Sequence, residues 1–304
     1  MAAAEIEIDV ALVRALLAEQ HPDLAGLPLR VVAQGWDNVM ARLGDDLVVR
    51  VPRRALAAPL VEHEQRWLPQ LAPGLPVAVP VPVRVGVPSP ALGYPWSWSV
   101  VPWFDGVRAA DVPLARRRAL ASPLAGVLRA LHTPAPAGFP VNPVRGVPLA
   151  TRDAAVRDRL ASGVVPEATA VEALWDRVVA APPWDGPPRW LHGDLHPGNL
   201  VVTEEVPDDV GRGDVGLVAV ADFGDLTAGD PATDLATAWL TFDAVGRATF
   251  RDRLAERYPA EDPVWVRARG WAVSMSTSML TSGPEHAWVL DMGRQALEQV
   301  LGDA

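Results

Sequence analysis

The 304-residue chain has no cysteine and no lysine, only 2 tyrosines and 5 phenylalanines, and no run of eighteen apolar residues. Without cysteine there is no disulfide, no thiolate metal site and no cysteine nucleophile. Without a long apolar run, nothing is expected to span a membrane. The opening MAAAEIEIDV is acidic and has no basic segment ahead of an apolar core, which argues against a secretory signal. The expected location is therefore cytoplasmic. Basic charge is also short, because 27 arginines face 37 Asp and Glu and leave a net charge of −10. Nucleic-acid binders usually present a basic face, so no such partner is expected. The acidic balance suits a cationic small substrate, and suits plain solubility as well.

Length and a hydrophobic content of 49% permit one large or two smaller cores. No internal repeat is present. The stretch at 190–202, WLHGDLHPGNLVV, runs from an apolar pair through His192, Asp194 and His196 to a Pro197-Gly198 turn, Asn199 and a second apolar run. Asp194 and Asn199 are five residues apart, the spacing of the protein-kinase catalytic loop, in which the Asp is the base and the Asn holds magnesium. Twenty-eight residues after Asp194, the apolar strand of VAVADFG (218–224) runs into Asp222-Phe223-Gly224, the place and type of the kinase metal-binding Asp. Two rival readings exist for the loop. His192, Asp194 and His196 alternate and could ligate a metal from one strand face, or the loop could be ordinary polar surface. Neither accounts for Asp222.

Together, HGDLHPGNL and the following ADFGDLTAGDPATDLA resemble the aminoglycoside phosphotransferase family and its small-molecule kinase relatives, macrolide phosphotransferases included. The resemblance runs from about residue 31 to residue 240 and fades in the last sixty. It implies an α+β, bilobal protein-kinase-like fold, with a β-rich N-lobe over 1–103 and a larger, mostly helical C-lobe over 104–304. It implies transfer of the γ-phosphoryl group of ATP or GTP to a hydroxyl of a small molecule, an aminoglycoside-like or other antibiotic. A metabolic kinase for choline, homoserine or a thiosugar is an alternative, and so is a nucleotide-binding regulator with weak catalysis. Asp194 is then the catalytic residue, and Asn199 and Asp222 are magnesium ligands. Monomer and homodimer are both compatible with it.

In chain order, residues 8–19 have helical spacing, 29–33 read as a strand, Gly35-Trp36-Asp37-Asn38 as a turn, and 39–43 with 47–51 as a hairpin about Gly44-Asp45-Asp46. That turn holds one glycine, unlike a protein-kinase phosphate loop. Arg50 falls where kinases place the strand-three lysine, a departure that keeps the charge and can fork onto two phosphate oxygens. The helix expected over 59–71 should supply its glutamate. Both Glu62 and Glu64 are available, and Glu64 is chosen because Trp67, Leu68 and Leu71 follow it at i+3, i+4 and i+7. Pro69 is expected to kink or fray that helix. Valines at 81–87 suggest an edge strand, and 96–101 a further strand. Pro102-Trp103-Phe104-Asp105-Gly106 then reads as a hinge, with the Pro102 carbonyl and the Phe104 N–H offered to the nucleotide base; an ordinary interdomain turn explains it equally.

A long helix over 114–132 is expected, kinked or broken at Ser122-Pro123, with His132 as a terminus residue. Residues 134–165 read as loop-rich, 167–181 as helix, and 245–258, 263–280 and 285–301 as three more. Asp230 before Pro231 has the form of a helix start. Asp230, Asp234 and His192 are read as structural, His192 as a prop for the metal-binding segment. For the acceptor, Asp225, Asp243, Glu285 and Asp291 suggest an acidic pocket for an amine-bearing compound, whereas Trp239, Trp265, Trp271 and Trp288 suggest an apolar one.

Overall fold

Asp9 starts the first helix of this computed structural model by accepting the Leu12 N–H at 2.7 Å, a side-chain cap for an otherwise unpaired donor. The structure describes residues 4–35, 37–204 and 215–303; Trp36, expected in a turn, lies outside them. The chain divides into two compact units. The first comprises Met1–Pro73, Ala78–Asp105 and Asp222–Gly224, the second Gly74–Val77, Gly106–Ala221 and Asp225–Ala304.

The first unit is a sheet with one helix before it in sequence and one between its third and fourth strands. Helix α1 (Val10–Gln20) buries Val13, Leu16 and Leu17, one face of a 3.6-residue repeat. Strands β1 (Leu29–Gln34), β2 (Asn38–Leu43) and β3 (Leu47–Pro52) follow, then α2 (Ala58–Leu71), β4 (Arg84–Gly86) and β5 (Trp98–Pro102). Every pairing is antiparallel and the spatial order is β1-β2-β3-β5-β4. Burial in β2 alternates, whereas β3, central in the order, is buried from Val48 onward. The core joins Leu16 and Leu17 to Val49, Tyr94 and Trp98. The indole of Trp98 lies on Gly86, where an added Cβ would come within 1.9 Å of the ring, so β4 needs glycine there. The proline-rich stretch yields only this three-residue edge strand, shorter than the alternating valines suggested. Pro69 ends nothing: α2 runs through it to Leu71.

The second unit contains β6 (Val107–Arg108), α3 (Ala121–Leu131), α4 (Asp153–Ala161), α5 (Ala168–Val179), β7 (Arg189–Leu191), β8 (Leu200–Glu204), β9 (Val215–Val220) and β10 (Thr227–Gly229). It closes with α6 (Ala232–Leu235), α7 (Thr237–Leu240), α8 (Ala244–Leu254), α9 (Pro263–Met279) and α10 (Ala287–Leu301). The segment over 114–132 is broken, as expected, but just before Ser122, into a 3-10 turn, Arg116–Leu120, and α3, so that Pro123 lies in the first turn of α3, where its missing N–H has no partner to lose. Residues 134–165 are loop-rich and hold one α-helix, α4. Helix α9 is buried almost all round and packs on α4, α5, α6 and α10. The architecture is α+β, a small antiparallel sheet unit and a larger, mostly helical one.

Candidate active site

In the second unit, β7 leads into the HGDLHPGN loop and β8 leads out of it. The loop is held from beneath by one carboxylate. Asp234 of α6 accepts the N–H of His192 at 2.8 Å and that of Gly193 at 2.9 Å. Its Oδ2 also lies 3.2 Å from His132 Nε2, and His132 Nδ1 is 2.9 Å from the Tyr258 hydroxyl. All of these groups are buried. Gly193 turns the chain with φ +87°, and a Cβ there would lie 2.3 Å from the Asp225 carbonyl oxygen, so glycine is required by both conformation and space.

His192 acts as a prop. Its Nδ1 accepts the Asp194 N–H at 3.2 Å, which leaves Nε2–H to donate to the Ala221 carbonyl at 2.9 Å. Ala221 immediately precedes Asp222, and its own N–H donates to the Asn199 carbonyl at 2.9 Å. The β8–β9 pairing, Leu200 opposite Val220, thus sets Asn199 beside the residue that leads into Asp222. With both His192 nitrogens engaged, the three-ligand metal reading of the loop fails. Among the described residues no three His, Asp or Glu side chains are grouped to hold a metal.

Asp194 is a quarter exposed and held at both oxygens. Arg145 Nη2 donates to Oδ1 at 2.8 Å, and His196 Nε2 lies 3.2 Å from Oδ2. His196 Nδ1 accepts the Gly198 N–H at 3.1 Å, so Nε2 is the nitrogen with a proton to donate to Asp194. Burial opposes ionisation of Asp194, but the His196 ring and the Arg145 guanidinium outweigh it and hold the carboxyl far below the usual carboxylate range. Sequence reasoning missed Arg145. It lies 49 residues before Asp194 in the segment VNPVRGVP, which carries no motif or periodicity that could have pointed to it.

Arg50, Glu64 and Asp222 meet in the first unit. Arg50 Nη1 donates to both Glu64 oxygens at 2.8 Å, and Nη2 reaches Asp222 Oδ1 at 3.2 Å. Burial disfavours the guanidinium charge, yet Glu64 and Asp222 more than restore it and raise its pKa. Glu62 faces outward and accepts from the Ser97 hydroxyl instead. The Asp222 side chain is 58% exposed, and its backbone is left-handed, φ +58°, a conformation that Asp tolerates at a cost of about 1–2 kcal/mol and that recurs at functional sites.

The donor chemistry fits a magnesium ion, which takes oxygen ligands from one or two side chains and completes its octahedron with phosphate and water. Asp222 offers an exposed carboxylate. Asn199 commits its Nδ2 to the Asp194 backbone carbonyl at 2.9 Å, which orients the amide and leaves the Oδ1 lone pairs for a cation. Pro102 ends β5 opposite Leu47, the Trp103 N–H is taken by the Asp46 carbonyl at 2.7 Å, and Phe104 follows one residue before the chain leaves the first unit after Asp105.

The side chains expected to shape an acceptor pocket are mostly engaged elsewhere. Trp239, Trp265 and Trp271 are in the core. Asp243 caps α8 and pairs with Arg118, Asp225 accepts from Asn142 Nδ2 at 2.6 Å, and Asp291 pairs with Arg294. Trp288 alone of the four tryptophans approaches the loop, its ring 2.8 Å from where a Cβ on Gly198 would sit.

The sequence model of the phosphotransferase enzyme family, APH, matches residues 28–271. Among solved structures, the chain is similar to the GDP complex of a mutant aminoglycoside 2'-phosphotransferase-IIIa, with TM-score 0.69 and 20% identity over 97% of this chain and 98% of that one. It is also similar to the streptomycin–ATP–APH(2")-IIa ternary complex, with TM-score 0.58 and 20% identity over 95% of each chain. A third likeness is to macrolide 2'-phosphotransferase MphH from Brachybacterium faecium, with TM-score 0.57 and 23% identity over 97% and 99%. At such identities these likenesses show a shared fold. No curated protein gives a significant sequence match.

Proposed function

The chain belongs to the phosphotransferase enzyme family, and on that premise we propose that it moves the γ-phosphoryl group of ATP or GTP to a hydroxyl of a small, antibiotic-like molecule. The observation that carries this reading is Asp194, held ionised on a braced loop five residues before an Asn199 whose amide oxygen is left free to bind a cation.

Phosphoryl transfer asks little covalent chemistry of the protein; it asks for in-line geometry and neutralised phosphate charge. Asp194 accepts the hydrogen bond of the acceptor hydroxyl and aims its oxygen. As a carboxylate it orients the hydroxyl and accepts its proton as the new P–O bond forms and the bond to the nucleoside diphosphate breaks. Asp222 and Asn199 are the residues that would hold magnesium, which when bound offsets charge on the phosphate oxygens. Arg50, fixed by Glu64, presents a permanent cation to the phosphates. The Pro102 carbonyl and the Phe104 N–H are the backbone groups assigned to the base.

The test is phosphoryl transfer from γ-labelled Mg-ATP and Mg-GTP by the purified protein to a panel of hydroxyl acceptors, with Asp194→Asn as the control. Label appearing on an acceptor only with the wild type supports the reading. Transfer by Asp194→Asn at the wild-type rate, or none by the wild type to any acceptor, would reject it.

A further inference from the structure

Arg145 is carried by a segment fastened on both sides of it. Before it, the Asn142 N–H donates to the Thr227 hydroxyl oxygen at 3.2 Å, Asn142 Nδ2 donates to Asp225 Oδ1 at 2.6 Å, and Asn142 Oδ1 accepts the Val144 N–H at 2.9 Å. After it, the Gly146 N–H donates to the Thr233 hydroxyl oxygen at 3.2 Å, and the Gly146 carbonyl accepts the Asp230 N–H at 3.0 Å. Gly146 has φ +69°, and an added Cβ would lie 3.0 Å from Leu191 Cδ1 and 3.3 Å from the Ala228 carbonyl oxygen. Leu191 ends β7, and Ala228 faces Trp190 across the β7–β10 ladder. The ladder that leads into the catalytic loop therefore also holds Arg145. Base and guanidinium share one mounting.

Few of the Arg145 donors are spent. Nη2 donates to Asp194 Oδ1 at 2.8 Å, Nε is buried without a partner, and the guanidinium makes no other hydrogen bond among the described residues. The Arg145 side chain is 21% exposed, so a ligand can reach it. Bracing Asp194 takes one N–H and needs no exposure at all. Burial opposes the Arg145 charge, but Asp194, Asp225 and Asp234 outweigh burial and raise its pKa. It is a fixed and permanent cation with donors in reserve.

The acceptor oxygen lies about 2.6–3.2 Å from the group that receives its proton, and the reacting phosphorus about 3–3.5 Å from that oxygen. With Asp194 in that role, the anionic phosphoryl group passes close to a carboxylate, a like charge that has to be offset at that point. The guanidinium in contact with that carboxylate is Arg145. We propose that Arg145 is a second catalytic residue, an arginine supplied by the chain itself whose unspent N–H groups bond the oxygens of the phosphoryl group in transit. The proposal rests on the phosphotransfer reading above. In the step it serves, the acceptor oxygen bonds to the γ-phosphorus and the bond from phosphorus to the bridging oxygen breaks. That electron pair leaves on the nucleoside diphosphate, and the hydroxyl proton passes to Asp194. Arg145 keeps its own protons and stabilises the charge on the phosphoryl oxygens, without reorganisation because its segment is already fixed.

The probes are Mg-ADP and Mg-GDP with aluminium fluoride, which imitates a phosphoryl group in transit, titrated calorimetrically into the full-length protein, Arg145→Gln and Arg145→Lys. Wild type should bind one diphosphate at least about tenfold more tightly with aluminium fluoride than without, as a transition-state mimic does. Arg145→Gln should bind the diphosphate alone within about twofold of wild type and lose that gain. In the transfer assay its kcat should fall about a hundredfold or more, the cost of one preorganised donor, with both KM values held. Arg145→Lys keeps the charge without the fork and should recover part of both. Free guanidinium ion at millimolar concentration should restore turnover to Arg145→Ala, which a folding defect would not allow. A gain that Arg145→Gln keeps would overturn the proposal and leave Arg145 a brace for Asp194. So would a raised acceptor KM at unchanged kcat, which would put the guanidinium on the acceptor instead. A wild type that transfers phosphate yet shows no gain would overturn the proposal alone. No gain and no transfer to any acceptor would reject the phosphotransfer reading and the proposal with it.

Discussion

Glu64 offers both carboxylate oxygens to a single nitrogen of Arg50, each at 2.8 Å, and neither residue is more than 5% exposed. A buried pair of this kind is costly to break from one side, because the survivor keeps its charge without a partner. Arg50→Ala removes the cation that both Glu64 oxygens engage, and the unfolding free energy should fall by about 3–5 kcal/mol in urea melts. In the folded fraction, nucleotide kcat/KM should drop at least about tenfold, given about 1.5–3 kcal/mol for a charge-assisted bond. Arg50→Lys should keep a substantial part of both. An alanine variant with normal kinetics and an unchanged melt would reduce Arg50 to a bystander.

Asp194→Asn removes the charge proposed to aim the hydroxyl while keeping the shape of the loop. Turnover should be largely abolished, and nucleotide affinity should stay within a few-fold. Steady-state rates beside nucleotide titrations separate the two. Turnover surviving within tenfold of wild type would take Asp194 out of the mechanism.

The pH dependence follows from Arg145. In the proposed mechanism Asp194 is ionised; burial opposes that charge, and the His196 ring and the Arg145 guanidinium outweigh it and lower the pKa. With Arg145→Gln, that pKa rises toward the ordinary Asp value of about 3.9. The acid limb of kcat/KM should therefore move to higher pH. Stability moves with it: a carboxyl with a depressed folded pKa stabilises the fold above its unfolded pKa and loses that contribution as the pH falls. The variant should lose less stability on acidification than wild type. An acid limb that does not move shows that Arg145 does not set the Asp194 charge.

Asp222→Ala should abolish the extra thermal stabilisation that Mg-ATP gives over ATP alone. The motivation is its exposed carboxylate and its left-handed backbone, which alanine adopts poorly, so the apo melting temperature should be recorded first. If the magnesium-dependent increment persists, another group holds the ion.

Much of this was legible in the chain because it is written in local patterns. The spacing of Trp67, Leu68 and Leu71 behind Glu64 marks the buried face of α2, and that face meets β3 at Arg50. Asp230 before Pro231 starts a turn, as its Oδ1 accepting the Ala232 N–H at 3.0 Å confirms. The same residue also receives Arg267 from 37 positions away, at 2.7 Å, and nothing local announces that. Tertiary partners account for the rest. Arg145 reaches Asp194 from a proline-flanked loop, α4 has an apolar side too narrow to show amid its arginines and aspartates, and three of the four tryptophans that looked like a pocket, Trp239, Trp265 and Trp271, are packed in the core.

Asp234 tests whether the catalytic loop depends on its brace. The two backbone N–H groups of His192 and Gly193 and the ring of His132 all converge on its two oxygens, and its side chain has no exposed surface. Asp234→Ala leaves buried donors without an acceptor, at about 1–3 kcal/mol for each, so the protein should melt well below wild type. Asp234→Asn is the sharper variant. Its single carbonyl oxygen can take one of the two N–H groups, while its amide turns a donor toward the other, so the loop should shift with only moderate loss of stability. Because Asp194 and Asn199 ride on that loop, kcat should fall at least about tenfold, in keeping with the sensitivity of transfer to small misplacements. The Arg50–Glu64 pair lies in the other unit, so nucleotide binding without magnesium should be unaffected. Wild-type kcat in a destabilised Asp234→Asn protein would show that Asp234 supports the fold without positioning the catalytic residues.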